Sequence, residues 1–149
     1  MIYTALTKRA LKLCFEAHRD QTDKSGMPYV FHPFHLAEQM DTEETVIVAL
    51  LHDVVEDTDY TLADLAAMGF SNSVIDAITL MTHDQEVPYM EYVKSISVNP
   101  LAAKVKLADL RHNSDLTRLD HIDERSFSRV KKYKAAIDLL ESVACQATI

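Results

Sequence analysis

Four ionisable side chains stand together at the end of an apolar run near the middle of the chain, where residues 49–57 read Ala-Leu-Leu-His-Asp-Val-Val-Glu-Asp. On one continuous helix, His52 would lie over Glu56, and Asp53 would lie over Asp57. An imidazole beside a carboxylate on a rigid helix is half of a divalent metal site. The acidic pair that follows could position an attacking water. The sequence therefore predicts that the remaining ligands come from other parts of the chain.

A third ligand is predicted where a polar loop, residues 20–29, meets a short helix. The loop contains Gly and Pro, which favour turns, and Pro33 favours the first turn of a helix. His32 precedes that proline, and side chains at such loop ends often point into clefts. His35 lies three residues further on and is the alternative, so the residues alone leave both histidines open. His18, near the end of the first helix, is interpreted as a buried, hydrogen-bonded histidine.

A fourth ligand is predicted on a long helix that begins at Asn99-Pro100. Lys106, Asp109 and Asn113 are spaced three and four residues apart, which places them in one polar stripe. The neighbouring apolar positions of this helix leave Asp109 at the edge of the packed face. A carboxylate in that position requires a cation.

The elements that must position these residues are predicted to be helices. The chain has 149 residues, is 48% hydrophobic and contains only 2 glycines, which favours one compact all-α domain over residues 1–149. We predict about eight helices. Their approximate positions are 2–19, a short helix from Pro33, a central helix capped by Asp41 or Thr42 and running through Val55, 62–68, 72–81, a short helix from Pro88, 99–119 and 123–147.

Charge and composition restrict the partners. A net charge of −8 disfavours a nucleic-acid duplex, which needs a basic footprint, but it allows a small phosphorylated substrate beside a bound cation. Cys14 and Cys145 lie in apolar helical patterns and are predicted to be reduced core residues. The first residues lack a signal layout, and no apolar run is long enough to cross a membrane, so a cytoplasmic location is expected. Nothing in the sequence determines the oligomeric state.

The ligand candidates together follow the pattern H…HD…D and resemble those of HD-domain metal-dependent phosphohydrolases. The flanking stretches make the resemblance more specific. They are similar to the hydrolase domain of the RelA/SpoT family, particularly its small stand-alone hydrolases, over residues 18–21, 26–33, 49–58 and 105–109. The resemblance covers about residues 5–137 and leaves no part of the chain for a synthetase domain.

This resemblance implies a helical HD-domain bundle that holds one Mn²⁺ and removes the 3′-diphosphate from (p)ppGpp through a metal-activated water. The implied metal ligands are His32, His52, Asp53 and Asp109. The implied catalytic residues are Glu56, Asp57 and Asn113. The implied substrate-binding residues are Lys24, Ser25, Lys106, Asn113, Arg129 and Tyr133.

The sequence departs from the family at the nucleoside end of the site. Asp23 stands where the family typically has an arginine that packs against guanine, and a carboxylate can neither stack nor offer a cation. Asp115 and Leu116 replace an arginine and a threonine. The segment around Tyr89 and Tyr92 is aromatic, whereas the corresponding segment of related small hydrolases can be lysine-rich.

Two alternative functions follow from these departures. One is a phosphatase for another nucleotide or phosphorylated metabolite, such as NADPH. The other is a non-catalytic nucleotide sensor. Intact Glu56, Asp57 and Asn113 argue against the sensor, because it would not need groups that handle water.

Overall fold

The structure is a computed structural model that describes residues 1–147, so that positions 148 and 149 of the predicted domain lie outside the described residues. The helices are α1 (Ala5–His18), α2 (Phe31–Glu38), α3 (Glu43–Leu51), α4 (Val54–Asp57), α5 (Leu62–Ala67), α6 (Asn72–Met81), α7 (Tyr89–Ser97), α8 (Pro100–Asn113) and α9 (Glu124–Ala147), with a 3₁₀ turn at Leu116–Arg118. Within residues 1–147 the only β-type pairing is an isolated bridge between Thr22 and Pro28. The predicted all-α fold is confirmed.

Helix α3 forms the centre of the fold. Thr42 caps it, and the hydroxyl of Thr42 accepts a hydrogen bond from the backbone N–H of Thr45 at 3.1 Å. Every residue from Thr45 to Leu51 is buried, and helices α1, α2, α6 and α8 surround the helix. A helix that is apolar on all sides requires such an enclosure. Burial of Leu50 or Leu51 stabilises the fold by roughly 1.5–3 kcal/mol each.

The chain does not continue as one helix through His52 and Asp53, so the predicted continuous helix to Val55 is wrong. Nδ1 of His52 donates to the carbonyl of Ala49 at 2.8 Å. This side-chain bond competes with the helical bond that the N–H of Asp53 would make. Helix α3 therefore ends at Leu51, and α4 begins at Val54.

The other helix boundaries follow their caps. Thr4, Thr61, Ser71 and Asn99 accept hydrogen bonds from the first turns of α1, α5, α6 and α8. Helix α8 ends at Asn113 instead of Leu119, because the carboxylate of Asp115 accepts from the N–H of Thr117 at 3.0 Å and starts the 3₁₀ turn. Helix α2 begins at Phe31, so that His32 lies inside the helix and not before it.

The two cysteines differ in their environments. Cys14 is buried, and burial together with the charge of Asp53 raises the pKa of its thiol to about 12. Cys145 is exposed, so its predicted place in the core is wrong. The face of α9 that includes Ala136 and Leu140 is buried, whereas Cys145 lies one turn beyond it. None of the helices within residues 1–147 has the length and apolar character needed to span a membrane.

Candidate metal centre and adjoining cavity

Three predicted ligands from three different helices meet in the interior. His32 comes from the first turn of α2, His52 follows the last residue of α3, and Asp109 lies on α8. Each offers one ligand atom, these atoms all lie within 4.8 Å of one another, and all three residues are buried. His35 is not part of this group, because it is exposed and its ring faces His112 at a centroid distance of 4.2 Å.

Asp53, the fourth predicted ligand, lies beside His52. Its Oδ2 is 3.0 Å from Nε2 of His52 and accepts a short hydrogen bond from the hydroxyl of Tyr29. Burial would raise the pKa of Asp53, but the adjacent His52 lowers it to about 2. Burial and the charge of Asp53 raise the pKa of Tyr29, so that the phenol keeps its proton and remains a donor. Tyr29 therefore fixes the orientation of the carboxylate.

The environment of His52 fits a metal ligand. Its Nδ1 donates to the carbonyl of Ala49, which leaves Nε2 as the nitrogen that faces the site. Nε2 is buried and has no hydrogen-bond partner among the described residues, although Asp53 Oδ2 and Asp109 Oδ1 lie 3.0 and 3.9 Å away. A buried nitrogen that faces two carboxylates without a hydrogen bond is well suited to a divalent cation.

Asp109 is held by groups from its own helix. Its Oδ2 accepts from Nζ of Lys106 at 2.8 Å, and its Oδ1 accepts from Nδ2 of Asn113 at 2.8 Å. Burial would raise the pKa of Asp109, but Lys106 and His32 hold it well below its usual range. The carboxylate therefore stays ionised in the interior. The predicted polar stripe on this helix is confirmed by these two bonds.

His112 of α8 contacts Nδ1 of His32, the ring nitrogen that faces away from Asp109. The Nδ1 atoms of His32 and His112 lie 2.7 Å apart, and the two rings are nearly parallel, at 6°. On its other side, Nε2 of His32 lies 2.9 Å from Oδ1 of Asp109. Burial and the charge of Arg118 lower the pKa of His112 to about 4, so that His112 is neutral.

Glu56 and Asp57 lie on the single turn of α4 and remain accessible to solvent. The N–H of Asp57 donates to the carbonyl of Asp53 at 2.9 Å, so that Asp57 lies one helical turn after Asp53 even though α3 and α4 are separate helices. Partial burial and then the charge of Asp53 raise the pKa of Glu56, and the same two causes raise that of Asp57. Two carboxylates with raised pKa values beside a cation site can accept a proton from water.

A cavity of about 340 Å³ opens from His32 along the loop 20–29 and the start of α9. Five of the predicted site residues line it, namely Lys24, Ser25, Asn113, Arg129 and Tyr133. A neighbouring cavity shares Lys24, Ser25 and Arg129 with the first one. Burial and the charge of the nearby Arg129 lower the pKa of Lys24, and both cations line this space. Lys106 does not line either cavity and contacts Asp109 instead.

Asp23 organises the loop at the far end of the first cavity. Its Oδ1 accepts from the N–H groups of Ser25 and Met27 at 2.8 and 3.0 Å. Its Oδ2 lies 3.8 Å from Nη2 of Arg118, which also lines the cavity. The hydroxyl of Ser25 donates to the carbonyl of Arg118 at 2.9 Å and ties the loop to the 3₁₀ turn. An arginine is thus present at this end, although it comes from another segment.

Three site residues were not singled out by the sequence, namely Tyr29, His112 and Arg118. His112 lies three residues after Asp109 on α8, so helical spacing alone would have placed it near the polar stripe. Tyr29 lies in a loop, where no periodicity predicts the direction of a side chain.

His18 was predicted to be a buried, hydrogen-bonded histidine, and this is confirmed. The residue is buried, and its Nδ1 lies 2.8 Å from Oε1 of Gln21.

The bundle and its buried histidines and aspartate define an HD-type helical domain. No protein-family model matches the sequence. A solved structure of a metazoan ortholog of SpoT that hydrolyses ppGpp has the same fold. It superposes with a TM-score of 0.77 at 24% identity, covering 94% of this chain and 88% of that chain.

Relatives of known function identify the family. The guanosine-3′,5′-bis(diphosphate) 3′-pyrophosphohydrolase MESH1 of Danio rerio is 33% identical over 144 residues, which cover 87% of this chain and 79% of that protein. A GTP pyrophosphokinase of Streptomyces coelicolor is 34% identical, and a guanosine-3′,5′-bis(diphosphate) 3′-pyrophosphohydrolase of Aquifex aeolicus is 30% identical. Each match covers 92% of this chain but only 17% and 20% of those longer proteins. The chain belongs to the family of (p)ppGpp pyrophosphohydrolases related to RelA and SpoT.

Proposed function

We propose that this protein is a Mn²⁺-dependent hydrolase that removes the 3′-diphosphate from (p)ppGpp. The observation that carries the proposal is the buried group of His32, His52 and Asp109, of which His32 also lines a cavity that contains Lys24 and Arg129. Relatives named as pyrophosphohydrolases for this nucleotide support the substrate. In the reaction, water attacks the phosphorus that is bonded to the 3′-oxygen, and the bond between that phosphorus and the 3′-oxygen breaks. The products are pyrophosphate and either GDP, from ppGpp, or GTP, from pppGpp.

We assign His32, His52, Asp53 and Asp109 as the residues that hold the cation. A mixed set of imidazole and carboxylate donors suits Mn²⁺ better than Mg²⁺, which prefers oxygen ligands. When bound there, the cation would lower the pKa of a water molecule and polarise the phosphoryl group that it faces. Tyr29 orients Asp53, and Lys106 keeps Asp109 ionised.

Glu56 and Asp57 are assigned to water handling. Their raised pKa values allow one of them to accept the proton of the attacking water and to return it to the leaving 3′-oxygen. Asn113 lines the cavity and its amide nitrogen donates to Asp109, and we assign its carbonyl oxygen to contact with the substrate. Lys24, Ser25, Arg129 and Tyr133 line the same space, where the two cations would bind the anionic groups of a nucleotide.

The experiment is product identification after metal reloading. Protein stripped with a chelator should be inactive and should release pyrophosphate from ppGpp after addition of Mn²⁺, with weaker rescue by Mg²⁺. The Asp109→Asn variant is the control for contaminating activity and should stay inactive with either cation. Equal rescue by Mg²⁺ would contradict the assignment of the metal, and no release from ppGpp would contradict the assignment of the substrate.

A second candidate substrate is another phosphorylated nucleotide, such as NADPH. The observation in its favour is Asp23, which occupies the position of the family's base-stacking arginine and is engaged with the backbone of its own loop. NADPH and 3′-phosphorylated nucleotides should therefore be tested beside ppGpp at equal Mn²⁺. A higher kcat/KM for NADPH would replace the first substrate, and binding without turnover of any of them would favour the sensor.

A further inference from the structure

The hydrogen bond between His32 and His112 has only one proton to share. Their Nδ1 atoms lie 2.7 Å apart, and a hydrogen bond between two ring nitrogens needs one donor and one acceptor. The other nitrogen of His32 faces Oδ1 of Asp109 at 2.9 Å. The direction of the bond to His112 therefore determines whether His32 presents an N–H or a lone pair to the metal centre.

Without a cation, the following arrangement gives both nitrogens of His32 a partner. Nε2–H of His32 donates to Asp109, and Nδ1–H of His112 donates to Nδ1 of His32. With a cation, Nε2 of His32 must offer its lone pair, so its proton has to lie on Nδ1 and donate to His112. The bond between the two rings must then run in the opposite direction.

We propose that His112 is a positioning residue that sets the tautomer of His32 and thereby the affinity of the site for its metal. The proposal rests on the metal centre assigned above. When the cation binds, the proton on Nε2 of His32 leaves to solvent and the bridging proton moves from Nδ1 of His112 to Nδ1 of His32. Nε2 of His112, a half-buried residue, takes one proton from solvent. One proton leaves and one is taken up, so the exchange has no net release of protons.

The surroundings of the two histidines favour this role. His32 is buried, so an unpaired Nδ1–H would carry a large desolvation cost. His112 is closer to the surface and lies against the exposed ring of His35 at 4.2 Å. The pair thus connects a buried ligand to a residue that can exchange protons with solvent.

The test compares two substitutions that differ in one acceptor. His112→Phe keeps a flat ring but removes both nitrogens, and it should weaken Mn²⁺ binding roughly 10- to 100-fold. His112→Asn places an amide oxygen near the position of Nδ1, where it can accept from Nδ1–H of His32, and it should bind Mn²⁺ within about threefold of the wild type. His35→Phe is the matched control, since it alters the other neighbour of His112 without touching His32, and it should leave the affinity unchanged.

Calorimetric titration with Mn²⁺ measures the affinities, and circular dichroism verifies the fold of each variant. The tautomer is read from the ¹⁵N resonances of His32 in wild-type protein, with Zn²⁺ as the diamagnetic stand-in. The expected result is a proton on Nε2 without metal and on Nδ1 with metal. A folded His112→Phe variant that binds Mn²⁺ as tightly as the wild type would overturn the proposal, as would an unchanged tautomer. Wild-type protein that binds no metal would overturn the metal centre itself together with this proposal.

Discussion

We expect the ionisation of His52 to determine how the proposed metal centre responds to pH. Burial would lower the pKa of its imidazole, but the charges of Asp53 and Asp109 raise it to about 9 in the metal-free protein. Below that pH the ring carries a proton on the nitrogen that must bind the cation. Mn²⁺ therefore has to displace one proton, and its apparent affinity should rise about tenfold per pH unit between about pH 6 and pH 8.

Calorimetric titrations at several pH values check this dependence. Repeating them in buffers of different ionisation enthalpy counts the protons released, and we expect about one per cation because the exchange between His32 and His112 releases none. Asp53, with a pKa of about 2, is already ionised in this range and adds no further proton. An affinity that is independent of pH between pH 6 and pH 8 would show that His52 is neutral before the metal binds.

Glu56 tests the separation of water handling from metal binding. Glu56→Gln preserves the size of a solvent-accessible side chain but removes its ability to accept a proton. We expect kcat to fall about 100-fold or more while the affinity for Mn²⁺ changes little. Asp109→Ala is the contrasting variant, since it should abolish both metal binding and turnover. Loss of the metal in Glu56→Gln would instead make Glu56 a ligand.

At the level of elements, the carboxylate of Asp23 adds two hydrogen bonds to the backbone bonds that order the loop 20–29. Asp23→Ala removes the acceptor for the N–H groups of Ser25 and Met27, each of which contributes roughly 0.5–1.5 kcal/mol to local order. Because this loop lines the cavity and not the metal centre, KM should rise while kcat changes little. Asp23→Asn is the control, since its amide oxygen can still accept from both N–H groups.

Steady-state kinetics and amide hydrogen exchange measure the two parts of this effect. The amides of Ser25 and Met27 should exchange faster in Asp23→Ala than in Asp23→Asn. A fall in kcat with unchanged KM would mean that the loop acts on the chemical step. An unchanged KM in a variant whose loop amides exchange faster would mean that the order of the loop does not contribute to binding.

The helices themselves were largely predictable, because their signals are local. Thr42, Thr61, Ser71 and Asn99 mark helix starts by side-chain chemistry that acts within one turn. The break after Leu51 has no such signal, since no glycine or proline stands near it. It depends on how the buried imidazole of His52 reaches the carbonyl of Ala49, which is decided by the packed interior.

The site was predictable in part for the same reason. The polar stripe of Lys106, Asp109 and Asn113 follows from helical spacing, whereas the choice between His32 and His35 depends on which of them α3 and α8 cover. Tyr29 contacts Asp53, which lies 24 residues further along the chain. Arg118 lies beside Asp23, from which it is separated by 95 positions. Pairs that are so distant in sequence carry no periodic signal. Sequence spacing predicts the polar stripe of α8, and the tertiary fold decides which groups contact the proposed ligands.

At the level of the whole molecule, the proposed metal ligands come from helices that contact one another through the core. His32, His52 and Asp109 belong to α2, to the end of α3 and to α8, and α3 packs against both of the other helices. A cation bound to these residues in the folded state has no comparable site in the unfolded chain. Metal binding should therefore stabilise the entire fold by mass action.

Thermal unfolding of the full chain measures this effect. At a free Mn²⁺ concentration of about 100 times its Kd, the stabilisation is about 2.7 kcal/mol, and for a protein of this size the unfolding temperature should rise by roughly 5–10 °C. The rise should grow with the logarithm of the Mn²⁺ concentration, and it should be smaller with Mg²⁺ at the same concentration. Asp109→Asn is the control that should show no rise. A full rise in that variant would place the stabilising cation elsewhere on this acidic protein, and no rise in the wild type would mean that the three helices do not share a metal.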